Sequence, residues 1–112
     1  MKSMHNLRTA SIAMLLIVLL SAAGAVSIRG DPSCGSWTEE RAKKHVGSLA
    51  NEFWLLGFLS AVAVATKRDF IVGTDNPSLF QWMDSYCRDN PLSHISEGGH
   101  KLSRELARRK GV

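Results

Sequence analysis

The chain has 112 residues, 45% of them hydrophobic, and carries 14 Lys and Arg against 10 Asp and Glu, a formal charge of +4. Such a length leaves room for one domain and no second. The small positive balance makes no case for a nucleic-acid binder.

Residues 1–25 read as a signal peptide. Lys2 and Arg8 supply a basic start, Ile12 to Leu20 form an apolar run, and Ala23-Gly24-Ala25 is an A-x-A-like cleavage site. The run is shorter than the roughly 20 apolar residues of a spanning helix, so cleavage after Ala25 is preferred to a retained anchor. The expected compartment lies outside the cytoplasm, reached by secretion. Residues 26–112 then form a single domain. Losing Lys2 and Arg8 lowers the balance to +2. The surplus gathers at Lys101, Arg104, Arg108, Arg109 and Lys110, where cations favour the negative end of a helix.

Behind the leader stand two cysteines, Cys34 and Cys87, and no others. In an oxidising compartment an even count reads as a disulfide. The competing readings are weaker. A redox site favours C-x-x-C, which is absent, and zinc needs two more ligands. His45, His94 and His100 stand at no ligand spacing. A domain this small gains from such a staple, about 4 kcal/mol in the chain-entropy picture.

In chain order, Val26–Ser33 reads as a flexible lead-in. Ser36-Trp37-Thr38-Glu39 fits a capping box, so a first helix starts at Ser36, with Glu39 and Glu40 one turn before Lys43 and Lys44. Gly47-Ser48 ends or kinks it. A second helix is expected over residues 49–66. It is apolar on every side, which predicts a central, buried position. Gly57, Ser60 and Ala61 form a small-residue stripe that would let another helix approach closely.

Residues 67–76 form a long connection around the apolar island Phe70-Ile71-Val72. The island either tucks under the loop or faces a partner. Lys67, Arg68, Asp69, Phe70, Thr74 and Asp75 are the candidate partner-facing positions. Asn76 as N-cap and Pro77 at the first helical position open a third helix, running to about Arg88. Leu79, Trp82, Met83, Tyr86 and Cys87 recur on its inner side, so Cys34 must lie against its end. Asp89-Asn90-Pro91 breaks the chain. A last helix begins at Pro91 or Ser93 and ends near Arg109, with Leu92, Ile95, Gly99, Leu102 and Leu106 inward. Gly98-Gly99 either kinks it or allows a close crossing. The expected architecture is all-α: a compact bundle of about four helices stapled by one disulfide.

Chemistry-bearing motifs are missing. There is no G-x-S-x-G elbow and no H-E-x-x-H pair. His94 and Glu97, three apart, read as an exposed pair. No enzyme, metal or cofactor is expected.

The string Trp82-Met-Asp-Ser-Tyr-Cys-Arg-Asp-Asn-Pro-Leu92 is specific. Together with Cys34-Gly-Ser-Trp37, Trp54-Leu-Leu-Gly-Phe-Leu-Ser60 and Leu102-x-x-Glu105-Leu106, it resembles the Rap/Tai family. Those are small periplasmic immunity proteins that neutralise peptidoglycan amidases delivered by type VI secretion. The resemblance spans residues 34–109. It implies an all-helical fold with an internal disulfide and a core signature of Trp37, Trp54, Gly57, Trp82, Tyr86 and Pro91. It also implies an inhibitor that occludes an amidase active site, and self-association as a homodimer. The shape is similar as well to HdeA-like acid-stress chaperones, one alternative reading; an exported helical domain of another role is the other.

Overall fold

A computed structural model describes residues 26–44 and 46–112. The expected leader and its expected cleavage site lie outside the described residues, as does His45. Four helices follow one another: α1 Cys34–Lys43, α2 Val46–Thr66, α3 Asn76–Asp89 and α4 Ile95–Lys110. Among the described residues no strand forms beyond one isolated antiparallel bridge, Ser33 to His94. The helices pack as a ring in the order α1, α2, α4, α3. The all-α bundle with one staple is therefore the fold.

Each helix has a local cause. For α1 the cap is Ser33, not Ser36: its hydroxyl accepts from the Ser36 N–H at 3.0 Å. The helix starts two residues before the capping box because Cys34 is already held, its N–H donating to Ser93 O at 2.9 Å. Ser36 instead accepts from the Asn51 side chain. Lys44, left-handed at φ 52°, ends α1. Gly47 ends nothing. It lies in the first turn of α2, where a Cβ would run into the Glu40 carboxylate. For α3 the cap moves one residue back, to Asp75, whose carboxylate accepts from Ser78 N–H at 2.8 Å. Pro77 sits in the first turn, where its missing N–H costs nothing.

The expected lead-in is only partly one. From Asp31 onward it is clipped to the start of α4. Ile95 N–H donates to Pro32 O at 2.9 Å, and Asp31 accepts from both the N–H and the hydroxyl of Ser96. Asp31 thus caps α4 from 65 positions away, since the local cap residue, His94, makes no side-chain cap bond. This clip uses the Ser93 carbonyl and His94 in extended backbone, so α4 begins at Ile95. Leu92, expected on the inner stripe, is 95% exposed.

The core gathers Trp37, Leu55, Leu59, Phe70, Leu79, Met83, Ile95, Leu102 and Leu106 around the disulfide. Cys34 and Cys87 are bonded and buried, with Cα atoms 4.9 Å apart. Of the two roles open to Gly98-Gly99, the close crossing is realised. A Cβ on Gly98 would stand 2.7 Å from Met83 Sδ and the Tyr86 ring, and one on Gly99 2.7 Å from the Phe58 ring.

Not every residue of the expected core signature is core. Trp37 and Tyr86 are buried, and Trp54 and Trp82 half-buried. Gly57 and Pro91 are exposed. Pro91 stops α3 without packing; Gly57 lies on a face of α2 that the bundle does not cover.

Candidate functional site

Two surfaces stand out: the connection between α2 and α3, and the outer side of α2. The connection is built rather than slack. Lys67 takes a left-handed φ of 54°, Arg68 N–H donates to Ala63 O, and Thr74 N–H donates to Ile71 O. Gly73, at φ 79°, makes the reversal that side-chain-bearing residues resist. Phe70 pins the loop from below, at 1% exposure. Placing Phe70 against a partner is therefore corrected: a side chain buried in the core presents no surface. The island splits, with Phe70 inside and Val72 outside. Lys67, Arg68 and Asp69 are exposed, and Thr74 half-buried. Asp75 is exposed but committed to capping α3, and its bonds to Ser78 hold its carboxyl below the usual range.

The expectation of a central, buried α2 fails. Only Ser48, Asn51, Leu55 and Leu59 are buried. Those four recur every three or four residues and face α1 and α4. Opposite them Val46 and Val64 are 79% exposed, Phe53 68% and Leu49 52%. By length and composition α2 could cross a membrane, and little of it is buried inside the protomer. Its polar positions are tied to the bundle, however: Glu52 pairs with Arg41 and accepts from Ser48. Trp54 Nε1 donates to Arg29 O, and its ring stacks on Phe58, which meets His100 edge-on. The small-residue stripe lies on the open side, where a Cβ on Gly57 would meet nothing within 4 Å.

A third feature is a half-buried cluster between helices. Arg41 spans α1, α2 and α3, donating to Glu52 Oε1 at 3.0 Å and to both Asp84 oxygens at 2.7 and 2.8 Å. Trp37 Nε1 donates to Asp84 as well, at 2.8 Å. The guanidinium lies 5.7 Å from the rings of both Trp37 and Phe80. Partial burial would raise the Asp84 pKa, but the bonds from Arg41 and Trp37 outweigh it and hold the carboxyl below its ordinary value. The Asp84 hydrogen bonds raise Arg41 in turn. Every member has partners, so this is a structural knot joining three helices.

The remaining candidates do not assemble. His94 is exposed, and Glu97 accepts from Ser93 at 2.6 Å rather than sharing a ligand with it. Among the described residues no three His, Cys, Asp or Glu side chains come together as metal ligands. On α4, Arg109 pairs with Glu105 one turn away, and Lys101 lies 5.5 Å over the Tyr86 ring. No family model, no curated protein and no solved structure matches the chain.

The outer face of α2 could have been suspected from the sequence. An apolar helix with two opposite stripes can bury both only if neighbours flank both sides. Four helices in a ring leave each with an outward side.

Proposed function

We propose that this chain is an exported, immunity-type binding protein that inhibits a peptidoglycan amidase by covering its active site. The observation that carries the reading is the loop after α2. It is anchored by buried Phe70 and presents Lys67, Arg68, Asp69 and Val72 on a preset backbone. A preset loop loses little conformational freedom on docking, which is what an active-site plug needs. The resemblance supplies the partner's class, and its expected helical, disulfide-bonded fold is the one present. The disulfide is compatible with an oxidising compartment such as the periplasm.

The test is inhibition. The purified protein is titrated into a small cysteine–histidine amidase encoded beside its gene, or taken from a rival strain, with peptidoglycan as substrate. Stoichiometric inhibition is expected. The combined variant Lys67→Ala, Arg68→Ala, Asp69→Ala is expected to weaken it at least about tenfold with helicity unchanged, since a few residues carry most interface energy. No inhibition of any peptidoglycan hydrolase ends the reading. If the protein instead suppresses client aggregation at low pH, the chaperone alternative replaces it.

A further inference from the structure

The basic surplus of α4 is explained only in part by the helix it ends. Arg108, Arg109 and Lys110 lie in the last turn, where cations suit the negative end of the dipole. That effect fades beyond one turn, so it does not account for Lys101 and Arg104. Lys101, Arg104 and Arg108 recur at steps of three and four and share one side of α4. All three are exposed, and among the described residues none is paired with a carboxylate. The carboxylates one turn from Lys101 are engaged elsewhere, Glu105 with Arg109 at 2.6 Å and Glu97 with the Ser93 hydroxyl at 2.6 Å.

This side of α4 borders a groove whose other wall is Trp82, Tyr86 and Asn90, spaced four residues apart along α3 and its cap. The Trp82 ring stacks on Tyr86 with centroids 5.6 Å apart, and the Lys101 ammonium lies 5.5 Å from the Tyr86 ring centroid. Tyr86, Asn90 and Lys101 also line the stretch that runs on to Leu92, Ser93 and Glu97. The groove thus has unlike ends, with unpaired cations at one and an exposed leucine and a carboxylate at the other. We propose that it binds an extended segment of a partner protein, with acidic side chains at alternate positions along Lys101, Arg104 and Arg108 and an apolar side chain over Leu92.

Register is the first reason. Arg104 and Arg108 stand four residues apart, about 6 Å along the helix. Alternate side chains of an extended chain lie about 6.7 Å apart on one side. Two carboxylates at that spacing each find a guanidinium, whose fork takes a carboxylate through two parallel hydrogen bonds. Lys101 offers a third, less directional charge. Length agrees. From Glu97 to Arg108 the helix rises about 17 Å, the reach of about five extended residues.

The mixed character of the groove is the second reason. A polyphosphate chain or an anionic bilayer carries negative charge throughout and would press it against Glu97. A polypeptide can be acidic at one end and apolar at the other, where Leu92 is 95% exposed. The walls suit such a partner too, since Trp, Tyr and Arg are the side chains that carry most binding energy between proteins.

This proposal does not rest on the immunity reading. No residue of the loop after α2 lines the groove, and the readout is peptide binding with no amidase present. The native protein is titrated into a fluorescein-labelled peptide in which glutamate alternates with valine, at low ionic strength, and anisotropy is followed. Saturable binding is expected, at least about fivefold tighter than to a peptide of the same composition with its glutamates contiguous. Arg104→Gln combined with Arg108→Gln is expected to weaken it at least about tenfold, with the circular dichroism spectrum retained because both side chains are exposed. Lys43→Gln combined with Lys44→Gln removes the same charge elsewhere and is expected to change it less than about twofold. Absence of saturable binding overturns the proposal. Equal weakening by the two double variants does so too, since it marks diffuse charge attraction, as does equal affinity for the contiguous peptide. Tighter binding to phosphatidylethanolamine–phosphatidylglycerol vesicles or to polygalacturonate than to the alternating peptide also overturns it.

Discussion

Two of the helix surfaces that carry glycine differ in what the glycine meets. Where α4 crosses α2 and α3, Gly98 and Gly99 are buried, and any added carbon would strike Met83, Tyr86 or Phe58. On the outer side of α2, Gly57 touches nothing. The same residue type closes a crossing in one place and leaves one open in the other. The difference separates contacts that build the protomer from those left for something outside it.

The staple is the strongest hold on the inner side. Cys87→Ser is expected to cost about 4 kcal/mol. It should lower the melting temperature by more than about 10 °C in a domain of this size, and adding reductant to the unaltered protein should match it. An unmoved transition would mean that the inner surfaces hold without the bond. Next come the crossing glycines. Gly99→Ala presses a methyl on the Phe58 ring and is expected to cost about 1–3 kcal/mol by chemical denaturation. Gly57→Ala is expected to do the opposite in the dilute protomer, gaining up to about 1 kcal/mol. If both changes stabilise, the two surfaces are alike and the comparison fails.

The clip between Asp31 and α4 is smaller. Asp31→Ala removes two hydrogen bonds at the helix start and is expected to cost about 1–2 kcal/mol. The smallest effect is electrostatic. The Asp84 carboxyl is held below its ordinary value. Its contribution is therefore complete above the unfolded value of about 3.9 and is lost as pH falls through the lower folded value. Because Asp84 is partly open to solvent, a shallow loss below about pH 4 is expected. Asp84→Asn should flatten that acid limb in a pH series of melting curves while leaving the crossing glycines as sensitive as before.

These differences follow how far apart in sequence each cause lies. The disulfide was readable because two cysteines allow one intramolecular pairing. The inner stripe of α3 was readable because Leu79, Met83, Tyr86 and Cys87 recur within one helix. The Pro77 start was local too, and the cap missed by only one residue. The misplaced elements have remote causes. The cap of α4 is Asp31, far up the chain, so nothing near Leu92 announced that the helix would start late. The first helix starts early because Ser93 holds Cys34. The exposure of α2 was missed for another reason. An all-apolar helix states that its surfaces want cover, not whether the cover belongs to the same chain. Of the candidate loop, its boundaries and exposed charges were legible. The inward turn of Phe70 was not, because Phe70, Ile71 and Val72 are equally apolar.

The bond between Cys34 and Cys87 also has a meaning in time. The half-pairs lie 53 positions apart, and the clip beside them needs Ile95 and Ser96 as well. At about 5–20 residues per second of synthesis, Cys34 exists for roughly 3–10 s before its partner does. The first residues of the domain therefore wait for nearly the last. A chain stalled before Cys87 keeps Cys34 as an unpaired thiol, and only one extended past Ser96 can form both the bond and the clip.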